Sequence, residues 1–505
     1  MIPPQTHYFP SDNPASLISN PRKGDNEQQV WFFIGGFVLL LVLCIAVRAS
    51  SVLRLLFPIS SFLLGIFLFK RYPIHYVGFA WSLWIFTPFL ARIADFQSAW
   101  DPQRTMLVTP FLVCAISGVT LFNNIGRAIY IGGVTPFVLT LIGLAYGTLI
   151  GLSVTSPINV MRALLDWLVP VMFGFHLFWN WKDYPKHSTA IRKIFTVLVL
   201  ITGVYGVFQY ITAPEWDCQW LINSGMNSSL GSPEPFGLRV WSTMHSAGPF
   251  GIFLMSGLLL LLSDQSALKL PATVIGYLSF LLSLVRSAWG GWIIGFISIV
   301  LSVNSKMRTK LIFFVLVAAI CIVPLSQMEP FADTISGRVS SISNLDEDVS
   351  FNTRTDGGGD FILQALSNPL GQGLGNVWKT NSEGELVQIV TDSGIADIFF
   401  TLGWLGGIPY ILGICMMMAQ SMNSPNAIQD PFINASRSIS LSLLLQLIFA
   451  NALLGVGGLL IWTFLGISLA GDRYYQHQQI ESQQQLLELQ LALEEPGGYD
   501  YESSM

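Results

Sequence analysis

Charged residues are scarce in this sequence. They make up 11% of its 505 residues, whereas soluble domains contain roughly 25%. The 25 Lys and Arg residues occur in short clusters, so the chain lacks the large basic surface that nucleic-acid binding requires. Together with 52% hydrophobic residues, this scarcity excludes an ordinary soluble domain. It indicates a protein that crosses a membrane several times.

Cysteine is also rare, and its placement excludes two further classes of protein. Cys44, Cys114, Cys321 and Cys415 fall within apolar runs, and Cys218 stands alone in a loop. These positions provide neither a disulfide framework nor a metal-ligand spacing. His, Asp and Glu likewise form no cluster with the spacing of metal ligands. The sequence therefore predicts no catalytic metal and no cofactor.

Long apolar runs fill most of the chain. About 20 apolar residues span a bilayer as a helix, and runs of this kind begin near Trp31, Val52, Ile74, Met106, Ile131, Met161, Ile194, Met244, Pro271, Ser287, Leu311, Gly394, Ser438 and Gly455. The sequence therefore predicts an all-α polytopic membrane protein with about 12–14 transmembrane helices. The polar N-terminus lacks a signal-peptide layout, so the first span is expected to be retained.

Lys and Arg predict the orientation of the spans, because short cytoplasmic loops are enriched in both residues. The basic clusters are Lys70-Arg71, Arg127, 182–193 and 306–310. With these clusters in the cytoplasm, two long loops, about 212–243 and 328–392, lie on the external side. Arg48, Arg54 and Arg104 do not fit this assignment.

This organisation divides the chain into four parts. They are a polar cytoplasmic N-terminus (1–30), N-terminal transmembrane helices (31–193), a second membrane region (194–470) that includes the external loop 328–392, and a cytoplasmic tail (471–505). The tail is weakly amphipathic. It is expected to be solvated and partly disordered, with a self-associating or membrane-surface helix as the alternative.

A single charge interrupts the apolar stretch 271–302. Arg286 lies in its middle, and a stretch of this length suits two short spans that break at the arginine. A charge at membrane depth is costly, so it normally lies near an interface, faces a polar cavity or is paired. We therefore expect Arg286 at a membrane boundary, where it binds an anion. An arginine that only snorkels to the headgroups is an equal alternative.

Four more residues of the external loops are candidates for a site. Arg239 and His245 lie where the first loop joins the next span. A guanidinium binds phosphate through two hydrogen bonds, whereas His245 either carries a proton near neutral pH or is only hydrogen-bonded at the interface. Arg338 and Arg354 flank an acidic cluster in the second loop. They either turn into the site or form weak surface ion pairs.

Two features of the second loop favour structural roles. Residues 368–375 read NPLGQGLG, and these closely spaced glycines predict a tight turn with close backbone approach rather than a dinucleotide fingerprint. Asp392 comes just before a span and suits the N-cap of that helix. A general base is the second possibility for Asp392.

Several of these motifs occur in a fixed order within 195–470. They are YGVFQY at 205–210, the segment 236–250, SLVRSAW at 283–289, NPLGQGLG at 368–375, DSG at 392–394 and LGWLGG at 402–407. In this order they resemble the O-antigen ligase/polymerase-like membrane protein family. The spans before residue 195 match that family only in hydropathy.

The resemblance implies a metal-independent glycosyltransferase in the bacterial inner membrane, with a periplasmic external loop. Its donor would be a glycan on a polyprenyl pyrophosphate. Its acceptor would be lipid-linked, either lipid A core (a ligase) or a second repeat unit (a polymerase), and a flippase and a chain-length regulator would be partners. Arg239 and Arg286, and less surely Arg354, would hold the pyrophosphate. Fixed guanidiniums can stabilise such an anionic leaving group.

The acceptor hydroxyl needs a general base, and here the sequence departs from the ligases. Those proteins resemble one another in a loop histidine, which 328–392 lacks. Asp392, Glu383 or Glu385 would have to serve, or the base is dispensable, which favours a polymerase-like or divergent member.

A bicarbonate or other anion transporter is the alternative, because some similar proteins in photosynthetic bacteria are assigned to inorganic-carbon accumulation. Transporters often show two related halves with interrupted helices. The sequence has no clear internal repeat and has a long one-sided loop, and both features favour the enzyme.

Overall fold

The computed structural model describes residues 27–101, 104–131, 133–326, 365–376, 378–380, 386–388, 393–428 and 430–494. In the first half of the chain the helices are α1 (Glu27–Ala46), α2 (Ser50–Arg71), α3 (Pro73–Gln97), α4 (Thr109–Ala115), α5 (Gly118–Ile131), α6 (Thr135–Val154), α7 (Pro157–Trp179) and α8 (Tyr184–Thr212). Short 3-10 turns at Thr105–Val108 and Trp181–Asp183 lead into α4 and α8.

The second half continues with α9 (Glu215–Ser224), α10 (Asn227–Leu230), α11 (Ala247–Leu261), α12 (Lys269–Leu282), α13 (Arg286–Ser302), α14 (Ser305–Ser326), α15 (Gly394–Met422), α16 (Pro431–Gln446) and α17 (Gly455–Glu494). Two short antiparallel strands, β1 (Trp378–Thr380) and β2 (Leu386–Gln388), pair Trp378 with Gln388. A 3-10 turn at Pro425–Ile428 precedes α16.

The helices confirm the predicted fold class. Nine segments of the described chain are long and apolar enough to cross a membrane, and α11, α12 and α13 are shorter apolar helices. Helices α14 and α16 occupy the other two predicted runs. The break predicted at Arg286 is also present, because α12 ends at Leu282 and α13 begins at Arg286.

Short connections bring alternate helix ends together at two opposite ends of the bundle. The basic end contains 70–72, 180–186, 303–310 and 423–428, and the loop end contains 98–101, 213–246 and 283–285. Asp430 joins three elements at the basic end, since its Oδ2 accepts hydrogen bonds from Tyr184 (2.6 Å) and Tyr475 (3.0 Å). The positive-inside rule predicts that the basic end is cytoplasmic.

Glycines allow the closest helix pairs to form. A Cβ placed on Gly174 of α7 would lie 2.5 Å from the Trp462 carbonyl oxygen of α17, and one on Gly143 of α6 would lie 2.4 Å from the Gly406 oxygen of α15. Such contacts exclude any larger residue. Small residues are the usual means of close helix packing in a bilayer, where apolar burial alone gives no preference between lipid and protein.

Helix α15 is interrupted inside its span. Gly403 has φ +62° and ψ −166°, which is not helical, so carbonyls before it lose their usual helical partners. The turn at 368–375 replaces them: the amide of Gln372 donates to the Phe400 oxygen (2.8 Å) and that of Gly373 to the Thr401 oxygen (2.9 Å). Irregular backbone at membrane depth requires this kind of compensation.

The same turn confirms the prediction of close backbone approach. Gly371, Gly373 and Gly375 have φ of +74°, +81° and +85°. A Cβ at these positions would lie 2.3–2.6 Å from backbone atoms of Gly403, Gly151 and Asn159. Glycine is therefore required here for both its conformation and its size.

The tail differs from its prediction. Helix α17 continues without interruption to Glu494, and its side chains from 476 to 491 are exposed. The prediction of a partly disordered tail is therefore wrong for 471–494. The physical reason is the run of Gln, Leu and Glu residues, which are strong helix formers, with no Gly or Pro from Asp472 to Glu494.

We expect Gly373→Ala to destabilise the protein, because it combines a left-handed backbone with a Cβ 2.4 Å from the Gly151 nitrogen. The backbone strain alone costs about 1–2 kcal/mol. Thermal unfolding in detergent measures the loss. Gly126→Ala is the matched control, since a Cβ at Gly126 meets no atom within 4 Å. Equal stability of the two variants would contradict this role for the turn.

Candidate functional site

The loop at 213–246, which was predicted to be external, folds onto the ends of three spans. Its two short helices, α9 and α10, are followed by an extended segment in which the Val240 amide donates to the Leu282 oxygen (3.1 Å). The Phe236 amide donates to the Tyr210 oxygen at the end of α8 (2.8 Å). The loop is thereby attached to α8 and to the break between α12 and α13.

Arg239 bridges this loop and the helix break. Its Nη1 donates to the Ser229 oxygen (2.8 Å), and its Nη2 lies 3.2 Å from the Leu284 oxygen and 3.5 Å from the Ser283 oxygen. The Arg239 guanidinium is therefore held at the carbonyls of Ser283 and Leu284, which precede Arg286 by three and two residues.

Arg286 is the first residue of α13. Leu284 before it has φ +55° and Val285 is extended, so the chain turns sharply into the helix. Val285 provides no side-chain cap. The first amides of a helix carry partial positive charge and favour anions. The Arg239 guanidinium and the first residue of α13, Arg286, thus lie at one break at the loop end, so the fold brings two of the predicted anion-binding residues to the same break.

Arg338, Arg354 and Asp392 lie outside the described residues, as do Glu383 and Glu385. Their predicted site roles remain predictions. The N-cap position predicted for Asp392 is wrong, because Ser393 is the N-cap of α15 and its Oγ accepts a hydrogen bond from the Ala396 amide (3.4 Å). In the part of the chain that the structure describes, no group of three or more His, Cys, Asp or Glu side chains is placed to hold a metal ion.

His245 lies two residues before α11, outside the spanning helices. Its ring stacks on Trp220 (6.2 Å between centroids, 30° between planes). Its Nε2 is buried and has no hydrogen-bond partner among the described residues. Burial, and then the positive charges of Arg92 and Arg104, lower the His245 pKa to about 3. The ring is therefore neutral at physiological pH, which disfavours the first of the two alternatives for His245, that of a proton carrier.

A buried ion pair, not predicted from the sequence, lies behind this loop. Nε of Arg92 in α3 is 2.8 Å from Oδ1 of Asp217 in α9, and neither side chain is exposed. The other Asp217 oxygen accepts hydrogen bonds from the Tyr205 hydroxyl (2.7 Å) and from Gln209 Nε2 (2.7 Å). We call these four residues the Arg92 network.

The Arg92 network fixes the backbone that leads to His245. The two Nη atoms of Arg92 donate to the carbonyl oxygens of Ser242 (2.5 Å) and Met244. Gln209 Oε1 accepts from the amides of Trp241 (3.1 Å) and Ser242 (2.8 Å). Each hydrogen bond is made in a buried environment, where an unmade one is costly. The signal that could have identified Arg92 is a charge within an apolar run, as at Arg286, although Asp95 lies only three residues further on.

A second acid holds two of the three arginines that do not fit the predicted orientation. Asp95, one turn after Arg92, binds Arg54 (2.6 Å) and lies 3.7 Å from Arg104. The Arg104 guanidinium also lies over the Trp100 ring, 3.8 Å from its centroid. These positive charges at the loop end are therefore explained by local pairing with a carboxylate.

The structure thus defines a class, an all-helical multi-pass membrane protein with two arginines at a helix break. The sequence matches no protein-family model, and no curated protein is significantly similar to it. The resemblance to the O-antigen ligase/polymerase-like family therefore rests on the motifs of the chain itself.

We expect Asp217→Asn to cost about 3–5 kcal/mol of folding free energy, because it leaves the buried Arg92 charge without its partner. Thermal and chemical unfolding in detergent measure the cost. Asp183→Asn is the control, since its ion pair with Lys186 is exposed and is worth at most about 1 kcal/mol. Equal stability of the two variants would contradict a large contribution of the Arg92 network to the folding free energy.

The low His245 pKa predicts a sign for the pH dependence of stability. Below pH 6.5, the ordinary histidine value, the unfolded state gains a proton that the folded state does not, so stability falls as pH falls. For each pH unit below this value, the unfolding equilibrium constant rises by up to about tenfold. His245→Gln, which lacks the proton, should show a shallower decline from pH 7 to pH 5. Parallel unfolding curves for the two proteins would contradict the prediction.

Proposed function

We propose that this protein binds a polyprenyl-pyrophosphate-linked glycan at the loop end and transfers or polymerises that glycan on the outer side of the bacterial inner membrane. The observation that carries the proposal is the contact of Arg239 with the Leu284 carbonyl (3.2 Å), two residues before Arg286. Two guanidiniums and a helix N-terminus at one break suit the charge and the oxygen atoms of a pyrophosphate.

The exposed face of α13 suits the polyprenyl chain. Ile293, Ile297 and Leu301 are exposed and recur every four residues, so they form one apolar stripe. The stripe extends to about 22 Å from Arg286, at 1.5 Å per residue. A lipid whose pyrophosphate lies at Arg286 can therefore extend its chain along α13 towards the basic end.

The proposed reaction needs positive charge more than acid catalysis. The acceptor hydroxyl oxygen attacks the anomeric carbon, and the bond from that carbon to the pyrophosphate oxygen breaks. The pyrophosphate leaves with the electron pair, so fixed cations stabilise the developing charge. The hydroxyl proton passes to a base, for which Asp392 remains the predicted residue.

We expect Arg286→Ala to abolish glycan transfer while the protein stays in the membrane. Surface-glycan gels of a deletion strain complemented with each variant measure this. Collapse of a glycan ladder to single repeat units would indicate a polymerase, and loss of all glycan from its lipid core a ligase. Arg286→Lys keeps the charge but loses bidentate geometry, so we expect it to restore little activity.

Arg127→Ala is the matched control, because this exposed arginine lies on α5 near the basic end. It should support a normal glycan profile. A normal profile with Arg286→Ala, or in the deletion strain itself, would refute the proposal.

A second candidate, anion transport, is favoured by the interruption of α15 at Gly403. Discontinuous helices often form substrate sites in transporters. In this protein, however, the Trp404 amide at the start of the second half-helix already donates to the Pro369 oxygen (2.8 Å), so we prefer the enzyme. An unchanged glycan profile with reduced bicarbonate uptake in the deletion strain would reverse that preference.

A further inference from the structure

A large cavity opens at the basic end, opposite the loop-end site. Its volume is about 2300 Å³, and α1, α2 and α3 line one part while α5, α7 and α8 line the other. Arg239, Arg286 and the Arg92 network do not line it. The cavity is therefore separate from the proposed glycan site, and the inference below does not depend on glycan transfer.

The mouth of this cavity is positively charged. Lys70, Arg71, Lys186 and Lys193 line it, and Asp183 is the one carboxylate among its described lining residues. Asp183 already pairs with Lys186, at 2.8 Å. Positive charge therefore exceeds negative charge where the cavity meets the membrane surface.

The rest of the cavity is mostly apolar and as long as a lipid leaflet or more. Along α3 its lining runs from Pro73 to Leu90, about 25 Å at 1.5 Å per residue, against roughly 30 Å for the whole hydrocarbon core. Phe37 and Phe79 are among its aromatic lining residues. The polar Thr120 inside it is already hydrogen-bonded to His176 (2.8 Å).

We infer that this cavity binds an anionic phospholipid, with the headgroup phosphate among Lys70, Lys186 and Lys193 and the acyl chains along α3. The basic mouth supplies the charge that a phosphate requires, and basic pockets between transmembrane helices suit anionic headgroups. The apolar part of the cavity, which we call the shaft, favours a lipid over a free anion. The excess of positive charge distinguishes an anionic lipid from a zwitterionic one.

Native mass spectrometry of the full chain in detergent, with phosphatidylglycerol and phosphatidylcholine at equal concentration, tests this inference. Phosphatidylglycerol should bind first and survive at higher collision energy. Lys70→Gln with Lys193→Gln should weaken its binding about 30-fold, since each charge near an anionic lipid is worth about 1 kcal/mol. Lys306→Gln with Lys310→Gln is the matched control, because these exposed lysines lie at the same end but outside the cavity.

A second variant tests the shaft alone. A Cβ on Gly78 of α3 would meet only Ile194, at 4.0 Å, and Gly78 lines the cavity. The Gly78→Leu side chain therefore starts without a backbone clash, and the substitution improves helix propensity. It should reduce lipid binding without lowering thermal stability in lipid-free detergent. Glycerol phosphate at millimolar concentration should not displace the lipid.

Three results would overturn the inference. They are equal binding of phosphatidylcholine, equal loss of binding in the two lysine pairs, and displacement by glycerol phosphate, which would indicate a site for the phosphate group only. Reduced glycan transfer in Arg286→Ala with normal lipid binding would show that the glycan site and the lipid cavity function independently.

Discussion

The buried ion pair of Arg92 and Asp217 is the constraint on which the loop end depends. Two charges without contact to water are stable only when every remaining donor and acceptor is satisfied, and here α3, α8 and the loop share that task. The resulting hydrogen bonds fix Trp241 and Ser242. Val240, next to them, is bonded to the end of α12. The position of Arg239 beside Arg286 therefore follows from an interaction that neither residue makes.

Irregular backbone is fixed by the same rule elsewhere in the bundle. Hydrocarbon offers no hydrogen bonds to a broken helix. At α15 the compensation comes from the amides of the 368–375 turn, and at the α12–α13 break it comes from the Val240 amide and the guanidinium of Arg239. One break is thus closed by neutral backbone alone, whereas the other also uses a charged side chain. Only the second leaves positive charge at the membrane boundary.

The sequence could predict the features that depend on neighbours along the chain. Apolar run lengths gave the helices, Arg286 gave the break, and the spacing of Gly371, Gly373 and Gly375 gave the close turn. Contacts between segments that are distant in the sequence could not be predicted in this way. No local pattern pairs Arg92 with Asp217, and the cavity at the basic end requires six helices to be in place. The tail differs from its prediction because the helix propensity of its Gln, Leu and Glu residues outweighs their polar composition.

The distance between Arg92 and Asp217 in the chain has a consequence for biogenesis. Asp217 follows Arg92 by about 125 residues, which at about 5–20 residues per second takes roughly 6–25 s to synthesise. Helix α3 must therefore enter the membrane before the partner of its arginine exists. Asp95, one turn further along α3, is made at once and lies at the spacing at which opposite charges on a helix attract. Until Asp217 is made, Asp95 is the one carboxylate of α3 itself that can offset the Arg92 charge, whereas in the finished fold Asp95 pairs with Arg54 and Arg104.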